Sequence, residues 1–104
     1  MKIWVDDVRP SPGGYVWCKS VREAKDTVLM LELYATVNEY YKVELIDLDH
    51  DAGDYANDGG DYIKLLDWLE ETGRNYPIRI HSMNPVGVAN MRAIIKRNGW
   101  MEVR

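Results

Sequence analysis

The chain has no phenylalanine, a single cysteine and only two histidines among its 104 residues. One thiol, Cys18, excludes an internal disulfide, and no Cys/His spacing suits structural zinc, so a reducing cytoplasm is the expected setting. Cys18 itself is expected as a small buried apolar group. Basic residues are in deficit: 13 Lys and Arg against 17 Asp and Glu give a formal charge of −4 at pH 7. That balance argues against a surface dedicated to duplex nucleic acid, which needs clustered cations to replace counterions, but it does not exclude a small nucleotide substrate. No apolar run approaches the ~20 residues of a membrane span, and MKIWV at the start is too short for a signal sequence. Those five residues are expected to enter a strand.

Four Trp and seven Tyr stand in for the absent Phe, and 46% apolar with 29% charged residues is the composition of an ordinary globular protein. The length predicts one domain, 1–104. Trp4, Trp17, Trp68 and Trp100 are expected as core material.

Apolar periodicity orders the chain. Residues 2–5 form a β-branched and aromatic run ending in Asp6-Asp7, and VRPSPGG at 8–14 forbids regular structure, so a loop separates it from a second strand at 15–18. Ser20 with Glu23 has the form of a capping box. The apolar positions 21, 24, 28, 31 and 35 then predict a helix from about Ser20 to near Val37. A third strand over 43–48 runs into the acidic loop 50–57, where Asp54 and Asn57 are expected in solvent. Asp58 is expected to cap a helix carrying Ile63, Leu66 and Leu69 and stopped by Gly73. A fourth strand starts at Pro77 and ends at His81, Asn84-Pro85 starts a third helix, and Asn98-Gly99 stops it before a last strand over 100–103.

This alternation predicts an α/β fold, a three-layer sandwich on a mostly parallel five-stranded sheet. The first joint is the awkward one. The loop 8–14 is short for a parallel crossover, which leaves the second strand as either a short edge strand or a hairpin partner.

In such sheets ligands bind beyond the carboxyl ends of the strands, where Asp6-Asp7, Asp49-His50-Asp51 and His81-Ser82-Met83-Asn84 fall. Asp6, Asp7 and Asp49 are the candidate ligands of a divalent metal, Mg²⁺ foremost, because that ion takes one or two carboxylates plus water and phosphate. His50 and His81 suit general acid and base work, with an ordinary imidazole pKa near ~6.5. Arg9 could offer a cation to a phosphate. Asp47, Asp49, Asp51 and Asp58 mimic calcium-loop positions, but Ala52 stands where glycine is needed and a strand precedes.

The motifs Trp4-Val5-Asp6-Asp7-Val8-Arg9-Pro10, Leu48-Asp49-His50-Asp51-Ala52-Gly53 and His81-Ser82-Met83-Asn84-Pro85 resemble the cyclic-phosphate-processing receiver-like domains, an offshoot of the response-regulator receiver fold. The resemblance implies a flavodoxin-like strand order 2-1-3-4-5 with the first crossover helix replaced by a loop. It further implies Asp6 and Asp7 as the metal-binding pair, Asp49 at the phosphoacceptor position and Ser82 as the receiver hydroxyl. The two histidines depart from ordinary receivers, and the lysine expected at the end of the last strand is missing, which disfavours phosphorelay. The expected activity is metal-assisted hydrolysis of a cyclic phosphate on a nucleotide or RNA end. His50, His81 and Asp49 are the catalytic candidates, and Ser82, Asn84 and Arg9 the substrate-binding ones. The alternative is a non-catalytic receiver-like signalling or binding module.

Overall fold

The apolar runs become five short strands, β1 (Lys2–Val5), β2 (Tyr15–Cys18), β3 (Leu45–Leu48), β4 (Ile78–Ile80) and β5 (Glu102–Val103). In the computed structural model, which describes residues 1–104, they form one parallel sheet in the order β2-β1-β3-β4-β5. Three helices join them: α1 (Val21–Ala35), α2 (Ile63–Glu71) and α3 (Pro85–Asn98). The flavodoxin-like, receiver-like order is therefore present. The direction of β2 is also fixed: Lys2 pairs with Tyr15 and Val5 with Cys18 in parallel register. The loop 6–14 is long enough for this. Fully extended it reaches about 30 Å, against roughly 13 Å for a four-residue strand.

The connections through α1, α2 and α3 all step the same way across the sheet, so right-handed crossovers put the three helices on one face. Strand alternation agrees. Ile3, Val5, Ile46, Leu48 and Ile78 join the same buried cluster as Val28, Leu66 and Met91 from the helices. The connection from β1 to β2 steps the other way, so on the opposite face the layer is the loop 6–14 and not a helix. Indole N–H groups hold that loop down: Trp4 donates to the Arg9 carbonyl at 2.9 Å and Trp17 to the Asp6 carbonyl at 2.7 Å. Of the four tryptophans, Trp100 belongs to the main core, and Trp68 packs partly buried against it. Trp4, also buried, and the half-buried Trp17 lie on the helix-free face, so Trp17 is the correction to the expectation that all four fill the core.

Local chemistry sets the boundaries. Ser20 caps α1, its hydroxyl accepting from the Glu23 amide at 3.1 Å. Asn84 caps α3 through the Gly87 amide at 3.0 Å, with Pro85 in the first turn and Gly99 at φ 66° after the last. Asp58 does not cap α2, contrary to expectation. The helix begins at Ile63 without a side-chain cap, after Gly59 and Gly60 turn the chain at φ 115° and 92°. Asp58 instead accepts from the Ser20 hydroxyl at 2.7 Å and from Arg22 Nε at 2.9 Å, bracing the start of α1. Trp100 leaves the last strand because its amide closes α3 on the Ile95 carbonyl at 3.1 Å and its ring turns into the core. No helix is long and apolar enough to cross a membrane.

Candidate active site

Parallel strands deliver their carboxyl ends to one edge, so β1 places Asp6 and Asp7 there and β3 places Asp49 beside them. One oxygen of each lies within 4.8 Å of the others. Asp6 is fully buried. Its Oδ1 accepts from the Val8 and Arg9 amides at 3.0 and 2.9 Å, and its Oδ2 faces His81 Nε2 at 2.9 Å. Burial pushes the Asp6 carboxyl up, but the two amides and His81 together outweigh it and leave the group below its ordinary range. Asp7 is shifted the other way. Burial raises it first, and the neighbouring charges of Asp6 and Asp49 add to the rise against its own amide. Gly53, at φ 55°, passes so close that a Cβ there would run into Asp7 Oδ2. Asp49 accepts from the His50 amide at 2.8 Å.

His81 is held on every side. Its Nδ1 lies 2.6 Å from Asp47 Oδ1, its Nε2 meets Asp6, and its ring stacks on Trp4 with centroids 3.8 Å apart and planes 4° apart. Asp47, fully buried, also accepts from Arg79 Nη1 at 3.0 Å. Both ring nitrogens are thus taken up by carboxylates. The result is a continuous row of bonded side chains: Arg79, Asp47, His81, Asp6.

His50 is held on one side only. Its Nδ1 lies 2.9 Å from Asp51 Oδ1 and 3.4 Å from Asn84 Nδ2. The His50 bond comes first among the causes that hold the Asp51 carboxyl low. The ring rests on Gly87 in the first turn of α3, where a Cβ would come within 2.8 Å of Nδ1. His50 Nε2 has no protein partner, and no buried side-chain nitrogen or oxygen is left unpaired, so this nitrogen faces solvent.

The other candidates surround this centre. Arg9 donates Nη1–H to the His81 carbonyl at 2.7 Å, with Nε 3.9 Å from Asp6 Oδ2. Asn84 divides its side chain, Oδ1 capping α3 and Nδ2 reaching toward His50 and Asp51. Ser82 accepts from the Asn84 amide at 3.1 Å and borders a cleft of about 560 Å³ against Met83, Val88 and Arg92. The structure thus gathers all the sequence-derived site residues at one edge. Asp51 joins them through His50, while Asp58 stays with Ser20 and no calcium loop forms.

Sequence reasoning passed over Asp47, Trp4, Gly53 and Gly87. A carboxylate inside an otherwise apolar strand run was the available signal for Asp47. A glycine inside a helical pattern, costly relative to alanine, was the signal for Gly87.

Residues 1–97 match the family of cyclic-phosphate processing receiver domains. The chain belongs to that family. No curated protein and no solved structure matches it. The name of the cyclic-phosphate processing receiver domains points to a role in cyclic-phosphate processing, and this receiver domain gathers Asp6, Asp7 and Asp49 at its strand ends.

Proposed function

We propose that this receiver domain hydrolyses a cyclic phosphodiester on a nucleotide or RNA end with the help of a divalent cation. The observation that carries the reading is the convergence of Asp6, Asp7 and Asp49, one oxygen of each within 4.8 Å of the others, with His50 following Asp49 directly in the chain. The three carboxylates are hard oxygen donors, and burial foremost, with the charges of Asp6 and Asp49, raises Asp7, a cost that a cation would offset. They fit Mg²⁺, which when bound neutralises phosphate oxygens.

His50 is the proton-transfer group of this reading. Water adds to phosphorus, the bond to one ribose oxygen breaks, and the ring opens to a monoester. One proton leaves the water and one is gained by the leaving oxygen, and His50 Nε2 carries one of these transfers. His81 has both nitrogens committed to carboxylates, so it orients Asp6 and offers no free lone pair. Arg9 and Asn84 supply donors to the phosphate rim.

The test is hydrolysis of adenosine 2′,3′-cyclic phosphate with Mg²⁺. His50→Ala is expected to lower kcat by about 10²–10⁴, and an unchanged rate removes His50 from the reaction. The second reading, a non-catalytic module, draws on Asp49 at the phosphoacceptor position. Beryllofluoride-induced amide shifts centred on Asp49 and Ser82, with no hydrolysis, would favour it.

A further inference from the structure

The face of the sheet without helices is built of rings and cations. Lys2, Trp4, Tyr15 and Trp17 alternate onto it from the paired strands β1 and β2, Trp4 buried beneath the loop 6–14 and Tyr15 and Trp17 half-exposed on the edge strand. Two of the rings carry an ammonium group: Lys2 Nζ lies 5.6 Å from the Tyr15 centroid and Lys19 Nζ 4.7 Å from that of Trp17. Neither lysine makes a salt bridge, unlike most arginines of the chain. An otherwise acidic protein therefore sets unpaired positive charge on aromatic faces along one edge strand.

This face is continuous with the candidate active site. Trp17 bonds the Asp6 carbonyl, and Trp4 stacks on His81, which bonds Asp6 itself. Tyr15 and Trp17 lie two residues apart on β2, about 6.6 Å along the strand, so each offers its own ring. Aromatic rings interleaved with cations suit single-stranded nucleic acid, whose bases stack on the rings while its phosphates meet the ammonium groups. Duplex offers no free base faces, in keeping with the net acidity of the chain.

We infer that the β1–β2 face is a stacking platform for the single-stranded RNA segment that precedes a terminal 2′,3′-cyclic phosphate. The terminal phosphate sits at the carboxylates, and the preceding bases run down Trp17 and Tyr15. The inference rests on the hydrolytic reading for the position of the terminus, but binding is measured separately from turnover.

The experiment compares the dissociation constants of a five-nucleotide RNA ending in a 2′,3′-cyclic phosphate and of the cyclic mononucleotide. Both are measured with Ca²⁺ in place of Mg²⁺, and turnover is followed in parallel with Mg²⁺. The oligonucleotide is expected to bind at least tenfold more tightly, with an affinity that falls as salt rises. Tyr15→Leu keeps apolar bulk and removes the π face, and Lys19→Glu reverses an unpaired charge; each is expected to cut the ratio of the two constants severalfold. A ratio within one variant does not depend on the fraction folded. Trp17 is left intact because its indole holds the Asp6 carbonyl. Equal affinities, a ratio untouched by both variants, or displacement of the RNA by poly-glutamate as readily as by unlabelled RNA would each overturn the platform. Oligonucleotide preference without turnover of either ligand would remove the hydrolytic reading alone, and turnover without preference would remove the platform alone.

Discussion

At the scale of single residues, the two histidines do different work although the sequence presents them alike. His81 bridges two fully buried carboxylates, Asp47 and Asp6, under the Trp4 ring. Removing the ring takes one partner from each buried carboxylate, leaving Asp47 to Arg79 and Asp6 to the Val8 and Arg9 amides. His81→Ala is therefore expected to lower the unfolding free energy at pH 7 by about 3 kcal/mol, read from urea denaturation. A cost of only a few tenths would show that the ring does not hold the two carboxylates in place. The acids, the two histidines and their positions at strand ends were legible in the sequence because strand-end location follows from periodicity alone. The difference between the histidines was not. It depends on Asp47 and Trp4 pointing to the same side as His81, a cross-strand relation between residues far apart in the chain. Asp58 shows the same limit: its spacing before a helical run suggests a cap, while two glycines turn the chain away and hand the carboxylate to Ser20 and Arg22.

At the scale of elements, side-chain clasps lock the helical layer to the sheet. Glu32 on α1 accepts two bonds from Arg74, Nε at 2.9 Å and Nη2 at 2.8 Å, and a third from the Tyr76 hydroxyl, tying α1 to the segment between α2 and β4. Arg74 foremost, with Tyr76, holds the Glu32 carboxyl below its ordinary value of 4.5 against the effect of burial. A carboxyl depressed in the folded state contributes stability that is present above its unfolded pKa and lost as pH falls through the folded one. Glu32→Gln is thus expected to cost about 1 kcal/mol at pH 7, the pair being partly exposed, and to cost little at pH 3. Unfolding curves at the two pH values check this, and a gap that widens in acid would contradict it. The N-caps that start α1 and α3 were legible because they are local, whereas this clasp joins residues 42 and 44 positions apart.

At the scale of the whole molecule, the fold concentrates negative charge at one edge, and stability has to bear it. Asp7 is raised by burial and by its acidic neighbours. For a carboxyl shifted upward, stability is full below the unfolded pKa and declines as pH rises through the folded pKa, so at pH 7 the ionised group works against the fold. Asp7→Asn is expected to raise Tm by a few degrees without metal and, under the proposed metal-dependent reading, to abolish the stabilisation expected from Mg²⁺, about 2.7 kcal/mol at 100 times Kd. Calorimetry with and without Mg²⁺ reads both effects, and a fall in Tm in the variant would place the repulsion elsewhere. The mostly parallel α/β class was legible from the alternation of runs, and the sheet order from the family resemblance. The one-sided placement of the helices follows from that order once handedness is applied, and only the parallel direction of β2 needed the structure.

The bond between His81 and Asp6 spans 75 positions. Asp6, Asp7 and Asp49 emerge in the first half of synthesis, and the imidazole that bridges Asp6 to Asp47 arrives only after β4. A nascent or proteolytically clipped chain ending before residue 78 would therefore carry the acids without that bridge, so the integrity of this edge reports that the chain has been made and folded through its fourth strand.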